Sequence, residues 1–151
     1  MLNDLNQGRN QLIAKTVGVI GLGPMGGNIA RLLLGKQFKV SGFDLKPDCI
    51  AALDDAGLDA AASVTEVAAN SDVLITSLPN AGALEAVVGG ILEHDRAGQI
   101  VIECSTLTVD QKISAHDNLA EAGKIMLDSP ISATPAMLAK MMASIHISGD
   151  E

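Results

Sequence analysis

The stretch from Thr16 to Asp44, TVGVIGLGPMGGNIARLLLGKQFKVSGFD, leaves this chain few ways to fold. Val17 to Ile20 is a short apolar run dominated by β-branched residues and bounded by glycine. That composition suits a strand buried on both faces of a parallel sheet. Gly21, Gly23 and Gly26 follow in the spacing G-x-G-x-x-G. Ile29, Leu32 and Leu33 then recur at helical spacing, and a second strand, Lys39 to Phe43, ends in Asp44. A strand, a glycine turn, a helix and a second strand closed by an acid about 20 residues past the glycines form the dinucleotide-binding fingerprint in full context.

Each residue type has a physical task in that fingerprint. Gly21 turns the chain sharply out of the strand, because glycine enters positive φ without a Cβ penalty. Gly23 lets a pyrophosphate approach the backbone, and Gly26 lets the helix pack tightly on the strand. Pro24 suits the first helical turn, where its missing N–H would have had no intrahelical partner. The unpaired N–H groups and the positive end of the helix dipole then face the phosphates, with Leu22 and Met25 in the same turn. Asp44 is placed to accept both hydroxyls of an adenosine ribose, and Leu45 and Lys46 follow it along the same edge.

Further along, strands and helices alternate. Asp48 to Ala56 reads as a short helix ending at Gly57, and Leu58 to Ala62 as a third strand weak in β-formers. Ser63 or Thr65 caps a helix running through Ala69. Asp72 to Leu78 is a buried strand stopped by Pro79 and Asn80, and a helix interrupted by Gly89 and Gly90 spans Ala83 to His94. Gln99 to Cys104 is the next strand, Val109 to Ala122 an amphipathic helix, and Lys124 to Leu127 another strand. Pro135 to Met142 reads as helical and Ser144 to Ser148 as a final alternating strand. This is an α/β, Rossmann-type doubly wound fold with a mostly parallel sheet. Ligands bind such sheets at the carboxyl ends of the strands, where turn and polar residues cluster at Gly21–Gly26, Asp44, Leu78–Asn80, Ser105–Thr106 and Ser129–Thr134.

The 151 residues suggest one domain, residues 16–151, behind a polar arm, residues 1–15, expected to be flexible. A formal charge of −8 offers no basic stripe for nucleic acid. No apolar run is long enough to span a membrane, the start lacks the features of a signal peptide, and Cys49 and Cys104 have no metal or redox spacing. The expectation is a cytoplasmic protein with two reduced thiols. His94, His116 and His146 share no metal spacing, the first two being expected on helix exteriors, and Cys104 reads as an apolar filler of its strand. Met137, Met141 and Met142 are expected to leave an exposed apolar patch.

Together GLGPMG, the FD that ends the second strand, LP after DVLITS, ECSTLT and DSPIS resemble the signatures of the β-hydroxyacid dehydrogenases, among them 3-hydroxyisobutyrate, tartronate-semialdehyde and phosphogluconate dehydrogenases. The resemblance runs from about Val17 to Gly149. It implies a Rossmann domain followed by a helical domain that completes the active site and a homo-oligomer, with hydride passing between NAD and a small hydroxy acid. By the same resemblance Leu22 to Met25 hold the pyrophosphate, and Leu78 and Pro79 line the path from adenine to nicotinamide. Thr106 lies near the nicotinamide and Ser132 binds substrate, with Ser105 and Thr134 as further substrate-side candidates.

Several positions depart from the family pattern. Ser132-Ala133-Thr134 stands where Ser-Gly-Gly is usual, Val109 replaces a proline, and Ala83 replaces an asparagine for which Asn80 is the nearest substitute. The family's general acid/base is a lysine of the helical domain, whose motif these residues lack. Lys124 and Lys140 read as surface lysines, and no catalytic residue is assigned within the chain. Asp44 repels a 2′-phosphate and favours NAD over NADP; Lys46, two residues on, is placed to pair with such a phosphate but reads as a solvated surface lysine. Two alternatives remain open: a stand-alone NAD-binding or regulatory module, and a reductase of the imine-reducing kind, whose family shares the GLGPMG stretch and usually prefers NADP.

Overall fold

The computed structural model describes residues 16–149. Six parallel strands form one sheet: β1 (Thr16–Ile20), β2 (Lys39–Phe43), β3 (Asp59–Ala60), β4 (Val73–Thr76), β5 (Ile100–Glu103) and β6 (Ile125–Asp128). Their order is β3-β2-β1-β4-β5-β6, the doubly wound arrangement with its switch point between β1 and β4. Helices α1 (Pro24–Gly35) and α2 (Pro47–Ala51) connect the strands on the β3 side of that point. Helices α3 (Val64–Asn70), α4 (Ala81–Leu92) and α5 (Val109–Glu121) make the remaining crossovers. A small antiparallel pair, β7 (Ile131–Ser132) with β8 (Ser144–Ile145), and the short α6 (Pro135–Ala139) follow.

Two cores explain the alternation along the strands. Val17 and Val19 face α1 with Ala30, Val40 and Leu53, while Ile20, Leu74, Val101 and Met126 face the other side with Val67, Leu84, Ile91 and Leu119. Between them Gly18 lets α3 settle directly on β1. A Cβ there would lie 2.5 Å from Val67 and 2.6 Å from Leu74. Gly90 has a similar reason to stand inside α4, since a Cβ would come within 2.9 Å of Val64 on α3. Gly89 and Gly90 both lie inside a continuous α4, so the expected interruption does not occur.

Several expected boundaries shift. The third strand shortens from Leu58–Ala62 to two residues, because it is an edge strand of Asp and Ala that follows Gly57 in a left-handed turn (φ 86°). The helix expected over Asp48–Ala56 divides into α2 and a 3₁₀ turn, Asp54–Ala56. Helix α4 begins earlier because Asn80 caps it, its side chain accepting from the Ala83 amide at 2.9 Å. Ser63, rather than Thr65, caps α3. The final strand reduces to Ser144–Ile145 plus an isolated antiparallel bridge from Ser148 to Asp128, which lies on the outer edge of β6. The helix expected through Met142 ends at Ala139, with Met141 at φ 54° just beyond it. Met137, Met141 and Met142 are exposed. The arm at residues 1–15 lies outside the described residues.

Lys124 is a correction. It is buried (4% exposed) rather than on the surface, and its Nζ donates to His94 O (2.9 Å), Arg96 O (3.2 Å) and Gln99 Oε1 (3.2 Å). Gln99 in turn donates to Ala68 O and Ser71 O, so the amine closes the amino-terminal rim of the sheet. Burial holds its pKa below the ordinary lysine value. Lys124→Met is expected to cost about 2 kcal/mol, because three carbonyl partners lose their donor. Thermal unfolding checks this, and an unchanged midpoint would contradict it.

Candidate cofactor site

The carboxyl ends of the strands carry a cavity of about 510 Å³. It is built around the turn after β1. Gly21 sits at φ 85°, and its amide donates to Phe43 O at the end of β2 (2.9 Å). A Cβ on Gly21 would fall 2.3 Å from Ser77 O, so both the backbone angle and the crossing strand demand glycine. Gly26 packs on the turn itself, a Cβ there falling 1.8 Å from Gly21 O. Gly23 is different. It is the N-cap of α1, and a Cβ there would meet nothing within 4 Å.

That openness matters because three other helix starts are closed, although the short α2 also lacks a side-chain cap. Ser63, Asn80 and Thr134 each accept from a first-turn amide of α3, α4 and α6, whereas no side chain caps α1. The unpaired donors of α1 face open space, which is what an anionic phosphate needs.

Asp44 ends β2, half-buried. Its Oδ2 accepts from the Leu22 amide at 2.7 Å and its Oδ1 from the Lys46 amide at 2.8 Å. The carboxylate thus ties the glycine turn to the edge of β2. Each oxygen keeps lone pairs for further donors, so ribose hydroxyls are compatible with these bonds.

The cavity brings together Gly21, Gly23, Pro24, Met25, Asp44, Leu45, Lys46, Leu78 and Pro79 of the sequence-derived set. Leu22 is buried under the turn, Gly26 supports it, and Asn80 is occupied in capping α4. Thr106 is exposed beyond β5 and does not line the cavity; Ser132 on β7 and Thr134, which caps α6, are also exposed and outside it. Ser105 is buried, and its Oγ accepts from the Leu78 amide at 2.8 Å.

Sequence reasoning missed the far wall. Val64, Ala83, Ala86 and Val87, with Phe43 and Cys49, make an apolar slot beside Asp44. Ala83, Ala86 and Val87 recur at i, i+3 and i+4 just behind Pro79, a signal that also reads as ordinary core packing. It missed a buried charge cluster too. Lys112 of α5 donates to Glu103, which is fully buried, and to Asp128 Oδ1 at 2.7 Å. Burial opposes the charge on Lys112, but its bonds to Asp128 and Glu103 outweigh that and raise its pKa.

The remaining titratable residues stay apart from the site. Cys104 lies just past β5 rather than within it, and burial with the neighbouring Glu103 charge pushes its thiol to about 12. His94 lies past the end of α4, His116 pairs with Asp117, and His146 is exposed after β8. Among the described residues no group of His, Cys, Asp or Glu is arranged to hold a metal, and no helix is long and apolar enough to cross a membrane.

Residues 16–151 match the family described as the NAD binding domain of 6-phosphogluconate dehydrogenase. The chain belongs to that family. It is 37% identical over 119 residues to 2-(hydroxymethyl)glutarate dehydrogenase of Eubacterium barkeri, covering 77% of this chain and 40% of the relative. L-threonate dehydrogenase of Cupriavidus necator is 34% identical over 140 residues, covering 91% and 47%. The structure of Mycobacterium tuberculosis 3-hydroxyisobutyrate dehydrogenase with L-serine superposes with a TM-score of 0.88 at 28% identity, covering 92% of this chain and 48% of that one. The chain thus spans about half the length of these dehydrogenases, or less. The resemblance to hydroxyacid dehydrogenases and the Rossmann-type fold expected from the sequence both hold, and NAD is the cofactor of this family's domain.

Proposed function

We propose that this chain is the NAD-binding part of an oxidoreductase that moves a hydride between NAD and a small β-hydroxy acid. The observation that carries this reading is that one cavity joins an uncapped helix start, an open Gly23, a strand-terminal carboxylate and an apolar slot. The first-turn amides of α1 hold the pyrophosphate. Asp44 takes the adenosine ribose hydroxyls, and Val64, Ala83, Ala86 and Val87 receive the adenine face. When bound, the nicotinamide supplies the hydride acceptor or donor. Thr106 stands on its side, with Ser132 and Thr134 toward the substrate.

Proton transfer needs a further group. Lys46 is the only lysine lining the cavity among the described residues, and it stands at the adenosine end. Lys112 and Lys124 are committed to buried partners. The family resemblance assigns this task to a lysine of a helical domain, so residues 16–149 are expected to bind NAD without turnover.

Asp44 gives the reading a direct test. Its charge repels a 2′-phosphate, and a tenfold preference corresponds to about 1.4 kcal/mol, a modest demand on a half-buried carboxylate. Calorimetric titration is expected to show NAD binding at least tenfold tighter than NADP. Equal affinities would remove Asp44 from its role, and no binding of either would sink the reading.

A further inference from the structure

Thr76, Glu103 and Asp128 occupy one cross-strand row at the ends of β4, β5 and β6. Glu103 is fully buried, and a buried carboxylate needs donors. Three converge on it. The Ser105 amide (2.9 Å) and Thr76 Oγ1 (3.4 Å) donate to Oε1, and Lys112 Nζ donates to Oε2. Only a carboxylate accepts on both sides, since an amide would present N–H to a donor. Lys112 also reaches Asp128, which fastens the end of β6 to the same group.

The consequence appears one residue higher. With its amide pinned by Glu103, Ser105 directs Oγ to the Leu78 amide at 2.8 Å. Leu78 lines the cavity and lies against the glycine turn; a Cβ on Gly21 would come within 3.2 Å of its side chain. Pro79 follows and has no N–H. The Leu78 amide is therefore the last backbone donor that anchors this wall before Asn80 begins α4. Neither Ser105 nor Glu103 lines the cavity, so both act through Leu78.

We propose that Ser105, held by Glu103 and Lys112, is a positioning residue for the cofactor cavity, its hydroxyl oxygen fixing the Leu78 amide and with it the Leu78–Pro79 wall. This rests on the NAD reading above. It also moves Ser105 from a substrate-side candidate to one that shapes the cofactor pocket.

The test compares Ser105→Ala, Ser105→Thr and Lys124→Met with the unaltered chain, each well below its unfolding temperature. Ser105→Ala is expected to weaken NAD and ADP-ribose by the same factor, about tenfold, as for the loss of one anchoring hydrogen bond. Ser105→Thr restores the hydroxyl and is expected to stay within about twofold. Lys124→Met, at the opposite rim, lowers the unfolding midpoint and leaves NAD affinity unchanged. Unaltered affinity in Ser105→Ala, or an equal loss in Lys124→Met, would overturn the proposal. Amide exchange at Leu78 without ligand separates this from the NAD reading. It should quicken in Ser105→Ala whether or not NAD binds, and unchanged exchange there counts against the positioning role alone.

Discussion

Replacing Gly26 by alanine is expected to abolish NAD binding and to destabilise the fold by about 3 kcal/mol, the upper range for overpacking a tight site. The added Cβ would lie 1.8 Å from Gly21 O, 3.0 Å from its carbonyl carbon and 3.3 Å from Ser77 Cβ. Two of these neighbours are backbone, and Gly21 is already held at φ 85° with its amide bonded to Phe43 O. The turn therefore has no free direction in which to yield. Gly23→Ala supplies the contrast. Its Cβ meets no protein atom within 4 Å, so stability should stay within about 1 kcal/mol, the size of an N-cap change. NAD affinity should nevertheless fall, because the new methyl occupies space assigned to the pyrophosphate. Paired unfolding and titration experiments separate the two glycines. A Gly23→Ala chain that binds NAD as before would contradict the placement of the phosphates.

Lys112→Met should cost still more, about 3–5 kcal/mol, the range for removing one partner of a buried ion pair. Glu103 is 0% exposed and would be left with only the Ser105 amide and the Thr76 hydroxyl as donors. Asp128 is part-exposed and hydrates more readily. Adding Glu103→Gln to Lys112→Met should therefore recover part of the loss in denaturant unfolding. No recovery would show that the cost arises from packing rather than charge.

The same cluster sets an alkaline limit. The pKa of Lys112 is raised above its ordinary 10.5, so its contribution is fully present below that value and lost as pH rises through the folded one. Cys104 acts in the same direction. Its thiol is raised from 9.0 to about 12, so the native state holds that proton over this interval and stability declines as pH rises across it. Cys104→Ala should flatten the decline between pH 9 and the onset of the lysine's loss.

The glycine turn and Asp44 were legible in the sequence because backbone geometry and spacing restrict those positions to few residue types. The doubly wound, mostly parallel sheet followed from the alternation of strands and helices. The apolar slot was not legible, since Val64, Ala83, Ala86 and Val87 come from two helices and carry only the pattern of core packing. Lys112 and Lys124 were also hidden. A lysine in an amphipathic helix or after a glycine reads as solvated, and only the meeting of Glu103, Asp128 and the carbonyls of His94 and Arg96 takes these two inside. Ser105 was singled out from its neighbours in the ECSTLT stretch, but its inward turn toward Leu78 depends on where β4 lies. The Asn80 side chain, likewise prominent in sequence, serves α4.

Mapping amide shifts of the isotope-labelled chain during NAD addition tests the central claim most directly. The account predicts that the largest changes fall on Gly21 to Gly26, Asp44 to Lys46 and Leu78, with Ala83 to Val87 moving less. Thr16, Lys39, Gly57 and Asn70, at the opposite end of the strands, should remain still. Changes centred on those residues, or none at the glycine turn, would contradict it.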